Sequence, residues 1–399
     1  MSNNFRSLVI YEYRKLFRRK IVWITLAVMT AVCIFAGCSR LLGNNYVEGQ
    51  IYESHKEALG KDIAFAKALS GRSLDDTLLR EMQEGYSKVP DIPLAGASGE
   101  YENYARPYKK VWKFAYYIVG NPACTSVTEE ELYRARENEL EKSFKDQKLS
   151  EEEKEFLRAS DNKIEKPFVY TYCEGWEVLN RLMNTLCVLQ LLLIAICIPP
   201  IFAEEHSQRT DQLIQCTCFG KRPLYLAKLL VGVTCSAASM LLLGLAIMIP
   251  LFCIYGTEGA GAILQLINYK YVWPLTVGEA ALILFGLLLT AALLRTVLAM
   301  LMAEYFRSST IPLAFMTGFL IFSMLFQIPD EYLLLSRIWD TFPVNLVSVW
   351  GAFENRLYPF FGGFLTAWQA VPWIYLLLSA GAAALCLRRY EGFQADRSF

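Results

Sequence analysis

Two textures alternate along the chain. Apolar runs long enough to cross a bilayer, which takes about 18 or more residues, cover 21–42, 179–203, 226–255, 274–303, 311–328 and 368–387 and predict six transmembrane helices. Polar sequence fills 1–20, 43–178, 204–225, 329–367 and 388–399. The expected fold class is an all-α integral membrane protein with an interfacial N-terminal helix and a large helical extracellular domain between the first two spans. Pro199 and Pro200 should bend or end the second span, because proline removes a helical donor.

The polar stretches carry their own periodicity. Phe5, Leu8, Val9, Tyr13, Leu16 and Phe17 recur at steps of three and four, with Arg6, Arg14, Arg18 and Arg19 on the other side. That pattern suits an amphipathic helix lying on a membrane surface. Thr128-x-x-Glu131 and Ser150-x-x-Glu153 fit capping boxes, each marking a helix start. Leu132, Tyr133, Leu140 and Phe144 make an apolar stripe after the first, and Phe156 and Leu157 begin one after the second, so a helical hairpin is expected. Further helices are expected over 48–69 and 73–86, and 90–107, with three prolines, reads as loop. Tyr108, Trp112, Phe114, Tyr116 and Tyr117 crowd one short stretch. They form either the domain's own core or a surface facing substrate or membrane.

Charge sharpens the picture. The 399 residues hold 39 basic and 39 acidic side chains, but 43–178 carries 19 against 26 and the remainder 20 against 13. That split excludes a nucleic-acid binder, which needs a basic face on a soluble domain. Fourteen Lys and Arg flank the spans on one side against three on the other. The positive-inside rule then places both termini in the cytoplasm and 43–178 outside a bacterial plasma membrane. Trp176, Trp273, Trp339, Trp350, Trp368 and Trp373 should form the outer aromatic belt. The first span has no evident cleavage site and reads as a retained anchor.

Candidate chemistry is sparse. Most of the eleven cysteines lie in or beside apolar runs, where they act as small hydrophobes. Cys124 and Cys173 are a candidate disulfide if the polar domain is extracellular. No metal site is expected, since Cys216-x-Cys218 lacks two further ligands. Glu279 is the candidate for a substrate path, as ionisable residues in spans are functional suspects. It lies toward a span end, as does Arg295, and the absence of a midplane carboxylate weakens a proton-coupled carrier. The fragment Phe219-Gly220-Lys221-Arg222 lacks the upstream glycine and following hydroxyl of a phosphate loop. Any ATPase must therefore be another chain. Glu204-Glu205-His206-Ser207-Gln208-Arg209 is similar to the first motif of CPBP-type membrane proteases, but that chemistry needs histidines on later spans, and the only other histidine is His55.

The connector after the second span is more informative. It leaves the membrane at Glu204-Glu205, passes through a short helix bearing Leu213 and Ile214, turns at Gly220 and re-enters behind Lys221, Arg222 and Lys228. Phe202, Glu205, Thr210, Leu213, Gly220, Ala227 and Lys228 resemble the ABC-2 family of ABC-transporter permeases. Arg209 stands where that family usually has glycine, and Lys221 where arginine is common. Phe342-Pro343-Val344-Asn345 is similar to a Pro-x-Asn feature of the family, and the N-terminal helix, with Arg14, Phe17 and Arg18, resembles its elbow helix. The polar domain is not covered by the resemblance.

The resemblance implies a transport subunit rather than an enzyme. Two permeases, identical or homologous, would form the path through the bilayer. ATP and magnesium would sit on separate ATP-binding subunits. Phe202, Glu204, Glu205, Thr210, Leu213, Ile214, Gly220, Lys221 and Lys228 would couple the two. The alternative is a receptor or structural assembly whose outer domain binds a peptide or envelope component. Lipid, antimicrobial peptide, polyketide and sodium export all remain compatible with this chain.

Overall fold

A computed structural model describes residues 3–47, 50–89, 100–120, 126–217, 219–329, 332–360 and 362–392. Among the described residues the chain is mostly helical, and five helices are long and apolar enough to cross a membrane. Helix α1 (Asn3–Phe17) breaks at Arg18 and Arg19 before α2 (Lys20–Cys38). Helix α8 (Glu174–Cys197) is interrupted at Pro199, and α9 (Pro200–Ser207) restarts with proline in its first turn, where no amide donor is missed. A five-residue turn of helix, α10 (Asp211–Gln215), precedes α11 (Arg222–Tyr255) and α12 (Val277–Phe306). Helix α13 (Thr310–Leu325) is apolar but has 16 residues. At 1.5 Å per residue it reaches about 24 Å, short of the roughly 30 Å hydrocarbon core. The last long helix is α17 (Ala367–Glu391).

Helix α12 runs through the middle of the bundle against α8, α11, α13 and α17, while α2 packs on α11. Hydroxyls and amides bind the helices across the apolar interior. Gln190 of α8 donates to the Ser236 carbonyl (2.9 Å) and Ser239 Oγ (3.0 Å) of α11, and Ser236 Oγ meets Thr296 Oγ1 of α12 at 2.6 Å. Such bonds have few competitors where water is excluded.

The polar domain differs from expectation at its start. A hairpin of β1 (Asn44–Val47) and β2 (Gln50–Ser54) occupies the first part of the expected 48–69 helix, and α3 (His55–Leu69) begins only where Ser54 and Glu57 close a capping box. After β3 (Arg72–Ser73) comes α4 (Asp76–Ser87). Part of the expected 90–107 loop is helical, with a wide turn at Tyr101–Ala105 and a tight one at Arg106–Tyr108. The rest of it, 90–99, lies outside the described residues. Helices α5 (Lys109–Val119), α6 (Glu129–Asp146) and α7 (Glu151–Asp161) follow, the last two starting at the two capping boxes read from sequence. Strand β4 (Val169–Tyr170) pairs with β3.

Arg136 anchors this domain. Its buried guanidinium forks onto Asp161 at 3.0 and 2.6 Å and also donates to the carbonyls of Tyr269 and Tyr271, in the segment leading to α12. Cys173 is a free, buried thiol, and Cys124, its expected disulfide partner, lies outside the described residues.

Residues 329–367, expected as an outer loop, contain α14 (Leu333–Asp340), α15 (Pro343–Leu346), α16 (Val349–Ala352) and a hairpin of β5 (Leu357–Phe360) and β6 (Gly363–Thr366). Val344, Leu346, Val347 and Phe353 are buried in the bundle core, and Asn184 of α8 donates to the Val344 carbonyl at 2.7 Å. Trp273 is a correction to the belt: it is buried, donates to the Phe353 carbonyl at 3.1 Å and meets Trp368 edge-on. Trp350 and Trp373 are exposed.

Candidate functional site

The connector and its surroundings form one charged assembly at the end of the bundle that carries α1. At its centre Lys228 of α11 is completely buried, 0% exposed. Its ammonium lies 2.7 Å from Glu205 Oε1, donates to the Ile201 carbonyl at 2.9 Å and faces the Phe202 ring 4.9 Å away. The carboxylate, the carbonyl dipole and the ring quadrupole together replace the water that Lys228 gives up. Lys15 of α1 donates to the same Glu205 oxygen at 2.9 Å, and Arg19 pairs with Glu204 while donating to the Pro200 carbonyl at 3.2 Å. Three helices, α1, α9 and α11, therefore meet on two adjacent carboxylates.

Glu12, buried one turn before Lys15, enlarges the cluster. Burial pushes its carboxyl above the ordinary value, against the pull of Lys228 and Lys15. Burial opposes the Lys15 charge, yet Glu205, Glu12 and Glu204 together hold its ammonium above the ordinary value. Phe202 is also enclosed by aromatics, with Tyr225 at 6.0 Å and Tyr390 of α17 at 5.9 Å.

The short helix hangs from this base. Thr210 N–H donates to the Glu205 carbonyl at 3.0 Å, closing a turn in which Arg209 has φ 56°. Glycine adopts that left-handed backbone without the steric cost borne by other residues. The arginine thus occupies a position whose geometry suits the glycine common in the family it resembles. At the far end, a Cβ on Gly220 would lie 1.6 Å from the Ile214 carbonyl oxygen, so only glycine fits, and Tyr390 donates to the Gly220 carbonyl at 3.2 Å. Lys221 caps the start of α11 through its carbonyl, which accepts from Tyr225 N–H at 3.0 Å. Between the two turns Leu213 stands 74% exposed, and Ile214 is half-buried.

His206 links the turn to another helix. Its Nδ1 is 3.0 Å from Asp211 and its Nε2 3.0 Å from Glu304, near the end of α12. The carboxylates sit on opposite ring edges and do not converge. Among the described residues no group of three or more His, Cys, Asp or Glu is placed to hold a metal. Arg14 of α1 and Arg18 just after it are exposed, while Phe17 lies against Trp23 with ring centroids 5.6 Å apart.

Two intramembrane candidates change character. Glu279 is a helix cap: it accepts from Thr276 N–H at 2.8 Å and Thr276 O–H at 3.0 Å at the exposed start of α12. Its carboxylate is engaged in starting a helix. Arg295 does not reach out to an interface. It is 9% exposed, donates to the Met316 carbonyl of α13 and leaves its Nε without an acceptor.

Sequence reasoning missed Glu12, Glu304, Tyr225 and Tyr390 and treated Lys15 only as part of a basic flank. Glu12 is the single acid among the first 20 residues, a usable signal. No family model, curated protein or solved structure matches the chain.

Proposed function

We propose that this chain is the permease subunit of an ABC-type exporter of the ABC-2 kind, a transport subuit paired with a second permease and driven by separate ATP-binding subunits. In this reading α13 is a short sixth span, both termini are cytoplasmic and the polar domain is extracellular. Exposed Arg14 and Arg18 meet lipid headgroups. ATP and magnesium belong to the partner chains.

One observation carries the reading: an exposed leucine on a short helix whose two supports are buried and held by contacts to other helices. Leu213 projects from α10, while the base of α10 is fixed by Glu205, Lys228 and Lys15, and its exit by Gly220 and Tyr390. A load on Leu213 passes through Glu205 to α1, α9 and α11, and through His206 and Glu304 to α12. Nucleotide-dependent movement of a docked ATPase then biases the bundle between two packings, as any ligand with different affinity for two states does.

The test is purification of the tagged protein from its native host in mild detergent, with co-purifying chains identified by mass spectrometry. A soluble chain bearing the phosphate-loop motif is expected. Its absence, while other membrane complexes survive the same procedure, would overturn the proposal.

A further inference from the structure

Where the polar domain meets the start of α8, a cavity of about 390 Å³ opens between α5, β4, the segment before α12 and α16. Its size is that of a small-molecule site. The wall is largely apolar and aromatic, with Phe114, Tyr117, Tyr269 and Trp350 among its rings. Helix α5 has two faces. Val111, Ala115 and Ile118 are buried in the domain core, whereas Lys110, Lys113, Phe114 and Tyr117 line the cavity, as Val111 also does in part. The dense aromatics of this stretch thus serve both core and cavity.

The charges do not cancel. Glu174 is paired with Lys110 (3.1 Å) and Arg40 (3.6 Å), and Glu177 with Arg181 (2.6 Å) and, more distantly, Lys110 (3.9 Å). Lys113 adds a further cation. No ion pair joins it to a carboxylate among the described residues; it lies over the Tyr117 ring at 5.8 Å. Among the residues that line the cavity, three cations, Lys110, Lys113 and Arg181, therefore face two carboxylates, in a domain that is acidic overall. Desolvation, together with Lys110, Arg181 and Arg40, holds the Lys113 ammonium below its ordinary value against the pull of Glu177. A bound anion relieves that repulsion.

We propose that this cavity binds an anionic, phosphate-bearing amphipath of the membrane surface, with Lys113 holding the phosphate and Phe114, Tyr117 and Trp350 the adjoining apolar part. The position favours a membrane source, because α8 runs from the cavity straight into the apolar bundle. The inference goes beyond the exporter reading and needs no ATPase.

The experiment titrates full-length detergent-purified protein with dihexanoyl phosphatidic acid, dihexanoyl phosphatidylcholine and inorganic phosphate, each below its aggregation threshold. Phosphatidic acid should bind at least about tenfold more tightly than phosphatidylcholine, the scale of one charge-assisted hydrogen bond. Lys113→Gln should remove that preference. Tyr117→Ala should weaken phosphatidic acid and leave inorganic phosphate unchanged. Lys113 is exposed and outside every ion pair described, so Lys113→Gln should retain the wild-type unfolding temperature. Equal affinity for the two lipids, or unchanged binding by Lys113→Gln, would overturn the site. Inorganic phosphate binding as tightly as phosphatidic acid would overturn the amphipath and make a soluble anion the occupant.

Discussion

Separating Lys228 from Glu205 should cost very different amounts depending on which partner is removed. Glu205→Leu leaves a fully buried ammonium facing a carbonyl and an aromatic ring, with no other carboxylate within ion-pair distance among the described residues. Uncompensated buried charges of this kind cost about 3–5 kcal/mol. Lys228→Met instead leaves Glu205 paired with Lys15 at 2.9 Å, so the loss is nearer one charged hydrogen bond, about 1.5–3 kcal/mol. The double variant removes the stranded charge and should cost less than the sum by at least about 1 kcal/mol, as contacting residues do. Equilibrium unfolding in mixed detergent micelles, followed by tryptophan fluorescence, measures all three. Equal costs for the single variants, or strict additivity in the double, would refute the claim that Glu205 is the carboxylate paired with Lys228 and is shared with Lys15.

Other expectations follow from the same geometry. Arg209→Gly should raise stability by about 1 kcal/mol, because the left-handed backbone strains any other residue; an unchanged or lower unfolding midpoint would contradict the turn geometry. Arg295→Met should cost little or stabilise, since it removes a buried cation that has no carboxylate partner among the described residues. A loss above about 3 kcal/mol in the same unfolding assay would reveal a counter-charge in the functional assembly. In the polar domain, burial pushes the Asp62 carboxyl up, but Lys109 and Arg106 outweigh it and hold it below its ordinary value. A carboxylate depressed on folding contributes stability above its unfolded value, about 3.9, and loses it as pH falls through the folded value. The protection of α3 amides relative to their intrinsic exchange rates should therefore fall below about pH 4, and Asp62→Asn should flatten that dependence.

What was legible in the chain was local. The capping boxes at Thr128, Ser150 and the break at Pro199–Pro200 depend on residues a few positions apart, so spacing alone revealed them. The same logic found Leu213 and Gly220 but not their support, because Lys15 and Glu205 are 190 positions apart and Tyr390 lies 170 from Gly220. The short apolar pieces around Val344 and Phe353 read as loop because each is too brief for a span, yet they fill the bundle core. Trp273 carried the composition of a belt residue, and only packing against Trp368 and Phe353 distinguishes it from one. Glu279 looked like an intramembrane charge because the apolar run began before Thr276; the helix itself begins at Val277.

The central claim, that Leu213 is where an ATPase docks, is tested most directly by comparing wild type and Leu213→Asp in the same native purification. Leu213 is exposed, so the substitution should leave stability within about 0.5 kcal/mol and membrane insertion unchanged. The account predicts that the phosphate-loop chain is recovered with the wild type and lost with Leu213→Asp. Undiminished recovery with the variant would contradict it.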